Sequence, residues 1–217
     1  INIYDLPPKY QNREMLAEAE RDRESDDLLW KWKWLGQPHP IMANEPFSTM
    51  KTAKAEKSHT FNMGDAFMDP SYLGGDTTAL SIAKANGNGG IFVIGYAWKL
   101  AWNLCSSDIV KLCNYYNVPK LMYESNNLGD EIAGHYKRNH KMKAKGFYTS
   151  DNKKDRIYKS AYFIDRVTFL EDNSIGNKTY MSQMRKYNSK SSTNHEKYGH
   201  DDAPDSFALL LQNKGWI

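Results

Sequence analysis

The sequence is poor in cysteine and lacks the runs and motifs that mark several large protein classes. Cys105 and Cys113 are the only cysteines among 217 residues, and they form no CxxC pair. This excludes a cysteine-based zinc site of the usual spacing and is typical of a reducing compartment. No apolar run approaches the roughly 18 residues of a membrane span, so we expect no membrane partner. Neither GxxxxGKS nor GxxxxGKT occurs, which excludes nucleotide binding through a P-loop.

The chain also lacks an initiator methionine and a signal-peptide pattern, since it opens Ile-Asn-Ile-Tyr. We interpret it as a fragment of a longer protein, with an appendage over residues 1–58 and a regular domain over residues 59–217. Within the appendage, Trp30, Trp32 and Trp34 alternate with lysines. These rings are either an aromatic platform for nucleic acid or packing anchors toward a neighbouring domain, and we favour the anchors.

Charge is nearly balanced overall but unevenly distributed. The net charge is +3, with 25% charged residues. The N-terminal part is acidic, whereas residues 137–159 are strongly basic, with only Asp151 and Asp155 opposing the basic side chains. A local basic band on a nearly neutral protein indicates contact with a polyanion, and its alternative is a solvated face.

The order of predicted elements favours a mixed α/β sheet with helices on both faces. Three strands meander first, joined between the second and third by the turn sequence Asn86-Gly-Asn-Gly-Gly90. Helices and strands alternate after that. The predicted strands are 60–69, 77–85, 91–98, 118–124, 146–149 and 166–170. The predicted helices are 108–116, which Ser106 or Ser107 can cap, and 130–140, 153–164, 178–187 and 203–213.

Acidic residues stand at the ends of these elements. Asp69 closes the first strand before Pro70, which cannot continue the pairing. Glu124 closes the fourth strand. If these two strands are neighbours, both carboxylates lie at one sheet edge. The last helix opens with a third acidic group, in which either Asp202 or Asp201 shares a helix face with Asp205. Asp76 lies across the loop from Asp69.

Carboxylates that crowd together repel one another unless cations neutralise them. Oxygen ligands without histidine or cysteine favour Mg²⁺ or Mn²⁺. Two such ions about 3.5–4 Å apart clamp the attacking and leaving oxygens of a phosphodiester. The structural alternatives are a helix N-cap at Asp202 and Asp205 and a plain turn at Asp69. His200, beside the acidic group, is the histidine that we keep as a supporting candidate.

Three ordered motifs resemble a known family. They are Asp69-Pro-Ser followed by Gly75-Asp76-Thr, then Tyr123-Glu-Ser-Asn126 with Gly129, and last His200-Asp-Asp-Ala-Pro-Asp-Ser-Phe-Ala208. Their order and spacing over residues 60–213 resemble the C-terminal nuclease domain of tailed-phage terminase large subunits. The segment Trp34-Leu-Gly-Gln-Pro38 is similar to the family's join between ATPase motor and nuclease.

The resemblance implies an RNase H-like fold, with three antiparallel strands followed by parallel strands and helices on both faces. It also implies a metal-dependent DNA endonuclease that cuts concatemeric viral DNA during packaging by a two-metal mechanism with Mg²⁺ or Mn²⁺. Asp69 and Glu124 would be metal ligands. For the third ligand we favour Asp205 and Asp202 over Asp201. Asp76 would be a supporting acid.

The implied partners are double-stranded DNA, an N-terminal ATPase domain of the same chain, a portal protein and a small terminase subunit, in the host cytoplasm. The DNA contacts that we predict within the basic band are Lys137, Arg138, Lys141, Lys143, Lys153, Lys154 and Arg156. Two other hypotheses stay open. One is another RNase H-like nuclease, such as a resolvase or transposase, and the other is a non-catalytic DNA-binding assembly module with structural acids.

Overall fold

The computed structural model describes residues 2–25, 27–36, 45–56, 64–72, 76–87, 89–126, 129–188 and 200–217, without the side chains at 8, 25, 27–29, 32 and 129–130. The chain divides into two compact units, Ile1–Pro46 and Phe47–Ile217. We had placed the boundary after residue 58. The division falls earlier because Lys51–Lys54, which lies in the predicted appendage, is a strand of the second unit's sheet. No helix among the described residues is long and apolar enough to cross a membrane.

The first unit contains two short 3-10 turns, Ile3–Asp5 and Pro8–Tyr10, and two helices, α1 (Arg13–Ser25) and α2 (Asp27–Leu35). The alternating tryptophans therefore lie on a helix. The indole of Trp34 donates a hydrogen bond to Asp22 at 2.8 Å. Lys33 Nζ lies 2.8 Å from a carboxylate oxygen of the same Asp22 and 2.8 Å from one of Glu18. Part of the acidic character of this region is thus matched by the next helix.

The second unit is built on one seven-stranded mixed sheet. Its strands are β1 (Lys51–Lys54), β2 (Asp65–Asp69), β3 (Thr78–Ala85), β4 (Ile91–Trp98), β5 (Leu121–Glu124), β6 (Ala144–Phe147) and β7 (Val167–Glu171). They lie in the order β1-β7-β4-β3-β2-β5-β6. The pairs β2–β3 and β3–β4 are antiparallel, and the other neighbours are parallel. This confirms the predicted mixed sheet. Residues 60–63 of the predicted first strand and Gly75 of the first motif lie outside the described residues.

Among the described residues, five helices flank the two faces of this sheet. They are α3 (Trp102–Tyr115), α4 (Gly129–His140), α5 (Lys153–Ala161), α6 (Ile175–Lys186) and α7 (Asp202–Asn213). Helices α3 and α4 enclose an apolar cluster with alternate side chains of the central strands, such as Met68 and Ile82, and both cysteines are buried there. Helices α6 and α7 cover the opposite face, where Phe169 packs on Phe207.

Helix α3 begins at Trp102, not at the predicted residue 108 after a Ser106 cap. The Trp102 N–H donates to the Ser71 carbonyl at 2.9 Å, and its buried ring packs on His135 and Tyr136 of α4. The Ser106 hydroxyl lies inside the helix and donates to the Asn103 carbonyl at 2.8 Å. Tertiary burial of an aromatic ring therefore sets the helix start, and the serine signal misplaced it.

A polar relay fixes α7 on the sheet. The Ser206 hydroxyl donates to the Phe67 carbonyl at 3.0 Å and lies 3.0 Å from the Ser81 hydroxyl, which in turn lies 2.7 Å from Tyr180 Oη of α6. The ring of Tyr180 lies directly over Gly95, where a Cβ atom would overlap it. Because β2, β3, α6 and α7 share this relay, the start of α7 is held over the end of β2.

Candidate metal centre

Two acidic side chains lie side by side at the ends of neighbouring strands. β2 and β5 are parallel, with Met68 opposite Tyr123, so the next residues, Asp69 and Glu124, close the two strands together. Both carboxylates face the α5 and α7 side of the sheet, because Met68 and Tyr123 face the apolar cluster on the other side. The two strands are therefore neighbours, which was the condition for placing both carboxylates at one sheet edge.

The start of α7 brings the third acidic group to the same place. One carboxylate oxygen each from Asp69, Glu124 and Asp205 lies within 4.8 Å of the others. Asp201 occupies the N-cap position, but its side chain makes no capping hydrogen bond with any described residue. Instead, Gln183 Oε1 of α6 accepts the Ala203 N–H at 3.0 Å. The neutral amide of Gln183 therefore caps the helix. The structural alternative, in which the acidic residues act as the N-cap, assigned that role to Asp202 and Asp205.

Two basic side chains of α5 point into the acids. Arg156 is buried and donates from Nε and Nη2 to the two oxygens of Asp205, at 2.5 and 2.7 Å, and from Nη2 to Glu124 at 3.0 Å. Lys153 Nζ lies 3.0 Å from Asp201 Oδ1 and 3.4 Å from Asp205 Oδ2. We had predicted both as DNA contacts, and the structure places them among the carboxylates. Their spacing of three on one helix face was the sequence signal for this arrangement.

The pKa values of the acids are raised, which indicates that the basic side chains do not fully compensate the negative charge of the centre. Burial raises the pKa of Asp69 well above its usual range, although the Lys153 ammonium opposes the shift. Burial likewise raises the pKa of Asp202 to about 8, again against Lys153. Glu124 is shifted upward by burial and then by Asp205, so its pKa also lies above the usual value. A bound cation would oppose these shifts, because it stabilises the charged form of each carboxylate.

Two buried oxygens mark where a cation fits. Asp69 Oδ2 and Asp202 Oδ2 accept no hydrogen bond from any residue in the described part of the chain. Buried acceptors without donors are costly, so native structures leave few of them. The donors around them are carboxylate oxygens, which suit hard divalent ions such as Mg²⁺ and Mn²⁺. The residues present therefore fit the predicted metal.

Asn126, which sequence reasoning left without a role, supports Glu124. Its Nδ2 donates to Glu124 Oε1 at 3.2 Å and to the Thr149 carbonyl at 3.0 Å, and its Oδ1 accepts the Thr149 N–H at 3.2 Å. The side chain thereby ties the end of β5 to the segment before α5. Its place two residues after Glu124 in the motif was the signal that could have identified it.

The supporting candidates lie on the outer side of the acids. His200 Nδ1 is 3.9 Å from Asp76 Oδ1 and 3.7 Å from Asp202 Oδ2. Of the predicted DNA contacts, five are exposed: Lys137, Arg138, Lys141, Lys143 and Lys154. The first four lie at the end of α4 and in the connection to β6, the edge strand beside β5. Their role in binding DNA stays a prediction.

No protein-family model matches the chain, and no curated protein matches it. Solved structures do match. The large terminase nuclease of thermophilic phage G20c superposes with a TM-score of 0.54 at 17% identity, over 78% of this chain and 98% of that one. Its magnesium-bound form gives 0.52 at 15% identity, over 78% and 97%. The large terminase of a second thermophilic bacteriophage gives 0.59 at 12% identity, over 94% of this chain and 52% of that one.

These likenesses show that the chain has the fold of large terminase nuclease domains, and they confirm the expected RNase H-like architecture. The chain spans nearly the whole G20c nuclease but only about half of the second phage's large terminase.

Proposed function

We propose that this chain is the nuclease part of a large terminase, a metal-dependent endonuclease that hydrolyses double-stranded DNA and cuts concatemeric viral DNA during packaging. The observation that carries the proposal is the convergence of Asp69, Glu124 and Asp205, from three distant parts of the chain, within 4.8 Å. The fold it shares with the G20c nuclease, which has been crystallised with magnesium, supports the proposal.

Asp69, Glu124, Asp205 and Asp202 would hold two Mg²⁺ or Mn²⁺ ions. Such ions, when bound, lower the pKa of water and stabilise the charge that develops on a leaving 3′ oxygen. Asp69 is 8% exposed and Asp205 is 1% exposed, so the ligands are largely shielded from bulk water. Electrostatic interactions are stronger in such a site than in solution.

Arg156 is proposed as a positioning residue. Its two-pronged contact with Asp205 and its contact with Glu124 hold these carboxylates in one orientation. A metal site needs ligands that are held in position before the ion binds, because mobile ligands lower the metal affinity and the reaction rate. Lys153 remains partly exposed and offsets some of the negative charge next to Asp69, at 3.8 Å. The positively charged side chains of Arg156 and Lys153 thus orient the carboxylates without neutralising all of them.

The exposed basic residues beside β6 and on α5 would bind the DNA backbone, since phosphate contacts need charge and no base reading. An N-terminal ATPase domain, a portal protein and a small terminase subunit would be the packaging partners, in the host cytoplasm. The second phage's large terminase, of which this chain matches about half, has been crystallised with ADP. That observation supports an ATPase domain in a longer form of this protein.

Plasmid cleavage tests the function. Supercoiled plasmid is incubated with the wild type, Asp69→Ala and Asp108→Ala, each with Mg²⁺, Mn²⁺, Ca²⁺ or a chelator. Asp108 is an exposed acid of α3 paired with Lys111, so its variant is a matched control. We expect Mn²⁺- or Mg²⁺-dependent linear product from the wild type and Asp108→Ala alone. Equal cleavage by Asp69→Ala would refute the nuclease, and DNA binding without cleavage by every variant would favour the non-catalytic assembly module.

A further inference from the structure

A cleft lies at the end of the sheet opposite the candidate metal centre. Its volume is about 510 Å³, within the roughly 300–1,000 Å³ that is usual for small-molecule sites. On β3, Ala79 pairs with Asp69 of the centre, whereas Ala85 lines the cleft. The extended strand from Ala79 to Ala85 therefore separates the two places by about 20 Å.

Two aromatic side chains, Phe163 and Trp216, line this cleft. Their rings lie in parallel planes, with an interplanar angle of 1° and centroids 6.3 Å apart, so their faces point in the same direction. The backbone at the end of α7 places Trp216, because its N–H donates to the Leu211 carbonyl at 3.0 Å and Gly215 takes a φ of +67°. Parallel apolar faces of this kind suit a ligand that contains a flat ring.

Arg166 adds a positive charge to the same cleft. Its guanidinium lies 5.5 Å from the centroid of the Phe163 ring, and no carboxylate in the described part of the chain lies within ion-pair distance of it. The neighbouring cation, Lys214 Nζ, is 5.9 Å from the centroid of the Trp216 ring and is paired with Asp65 at 2.9 Å. Arg166 therefore keeps its fork of N–H donors available, and such a fork matches the oxygens of a phosphate.

The glycine-rich turn between β3 and β4 leaves bare backbone at the cleft. Gly87 and Gly89 have φ values of +83° and +76°, and a Cβ atom at either position would meet nothing within 4 Å. The turn is closed by the Asn86 N–H, which donates to the Gly90 carbonyl at 2.9 Å, and by the Gly90 N–H, which donates to Asn86 Oδ1 at 3.1 Å. A Cβ atom at Gly90 would lie 2.8 Å from the Arg166 carbonyl. The turn thus packs against the segment that carries the arginine and leaves its outer side open to a ligand.

We propose that this cleft binds a nucleotide, with the base against Trp216 and Phe163 and the phosphate on Arg166. Rings alone would suit any flat apolar molecule, and a guanidinium alone would suit any anion. Together they favour a planar ring that carries an anionic group. Nucleotides combine both, either free or unpaired at the end of a DNA strand. The cleft uses neither Asp69 nor Glu124, so the proposal does not depend on the nuclease.

The indole N–H signals of the 217-residue chain in heteronuclear NMR spectra test the proposal. The Trp216 signal is assigned by its loss in Trp216→Phe. Deoxyadenosine monophosphate, deoxyadenosine and deoxyribose phosphate are titrated separately in a chelator, where no metal-dependent cleavage occurs. We expect the monophosphate to shift the Trp216 signal saturably and to leave the signal of Trp98, at the other end of β4, unchanged. The nucleoside and the sugar phosphate should each bind at least about tenfold more weakly, because each lacks one half of the ligand.

Two variants separate the roles of the charge and the rings. Arg166→Gln should weaken binding of the monophosphate about tenfold and leave binding of deoxyadenosine unchanged, because only the phosphate contact is lost. Arg138→Gln, the same change at an exposed position of α4, is the matched control and keeps the wild-type affinity. Phe163→Leu should weaken binding of the monophosphate and of the nucleoside alike, because a stacking surface is lost.

A short single-stranded oligonucleotide with a terminal phosphate decides the source of the nucleotide. Saturation of the Trp216 signal at a much lower concentration than with the monophosphate would assign a DNA end, and the reverse order would assign the free nucleotide. No shift of this signal by either ligand at millimolar concentration would overturn the proposal. Equal affinities for the monophosphate and deoxyribose phosphate would also overturn it, since the rings would then contribute nothing. Loss of plasmid cleavage with retention of monophosphate binding would count against the nuclease alone.

Discussion

The two faces of the sheet are packed by different chemistry. Toward α3 and α4, the strands present apolar side chains, and the helices add Ile109, Trp102 and two buried thiols. Toward α5 and α7, the same strands present Ser81, Asp69 and Glu124, and the helices add a buried arginine and more carboxylates. The apolar face is stabilised mainly by burial of its side chains. The stability of the polar face depends in addition on compensation of its buried charges. The sheet thus combines a stabilising side with a side that carries the candidate metal ligands.

The largest expected effect comes from removing the buried cation of the polar face. Arg156→Met removes the two-pronged donor of Asp205 and leaves Glu124 with the Asn126 amide in place of a charged partner. Breaking a buried ion pair costs about 3–5 kcal/mol. Urea unfolding in a chelator should show this loss, with partial recovery in Mn²⁺. Arg138→Met, the same change at an exposed position of α4, serves as control. An equal, small loss in both variants would contradict the idea that the polar face depends on charge matching.

A cavity on the apolar face should lower the free energy of unfolding somewhat less, and the loss should not depend on metal. Ile109 is fully buried between α3 and the sheet. Ile109→Ala should lower the free energy of unfolding by about 2–4 kcal/mol, from lost burial and the cavity left behind. The loss is measured by urea unfolding with and without Mn²⁺ and should be the same in both. A metal-dependent loss would mean that the two faces are not separable.

The pH dependence should also differ between the faces. The pKa of Asp202 is raised by burial to about 8, from an ordinary value of 3.8. Between these values the native state binds more protons than the unfolded state, so stability falls as pH rises from about 4 to 8. In a chelator at pH 8, Asp202→Asn should therefore gain about 1–3 kcal/mol over the wild type. Stability measured across pH should be flatter in the variant, and an unchanged slope would refute the assignment.

The smallest effect on stability is expected at the exposed basic surface. Lys154→Ala on α5 should change the free energy of unfolding by less than about 0.5 kcal/mol. If Lys154 contacts a phosphate, the slope of log affinity for DNA against log salt should fall by about 1. Fluorescence anisotropy at several salt concentrations measures this slope. An unaltered slope would remove Lys154 from the DNA surface.

Much of the sheet was predictable because its signals are local. β4 follows a glycine-rich turn and matches its predicted range of 91–98, and the carboxylates of Asp69 and Glu124 each end an apolar run that reads as a strand. Where two parallel strands end at one edge, their last residues meet, so this part of the centre could be inferred from strand order. The acids of α7 were also found from a local signal, because Asp202 and Asp205 lie at the start of the predicted last helix.

The rest depended on contacts between residues far apart in the chain. Arg156 lies in a run of basic residues that reads as a DNA surface, and only the docking of α5 turns it toward Asp205, 49 positions away. β1 is a four-residue edge strand with little burial, so nothing local distinguishes Lys51–Lys54 from a linker. The meeting of Asp76 with His200 likewise needs the fold.

The neutral cap on α7 has a consequence for the field at the centre. Because Gln183 and not a carboxylate accepts the Ala203 N–H, no carboxylate among the described residues cancels the helix dipole by capping its N-terminus. The aligned peptides place the equivalent of about half a positive charge there, within the first turn that carries Asp202 and Asp205. Backbone geometry thus provides the acids with a permanent partial counter-charge. It survives every side-chain replacement that preserves the helix and does not titrate.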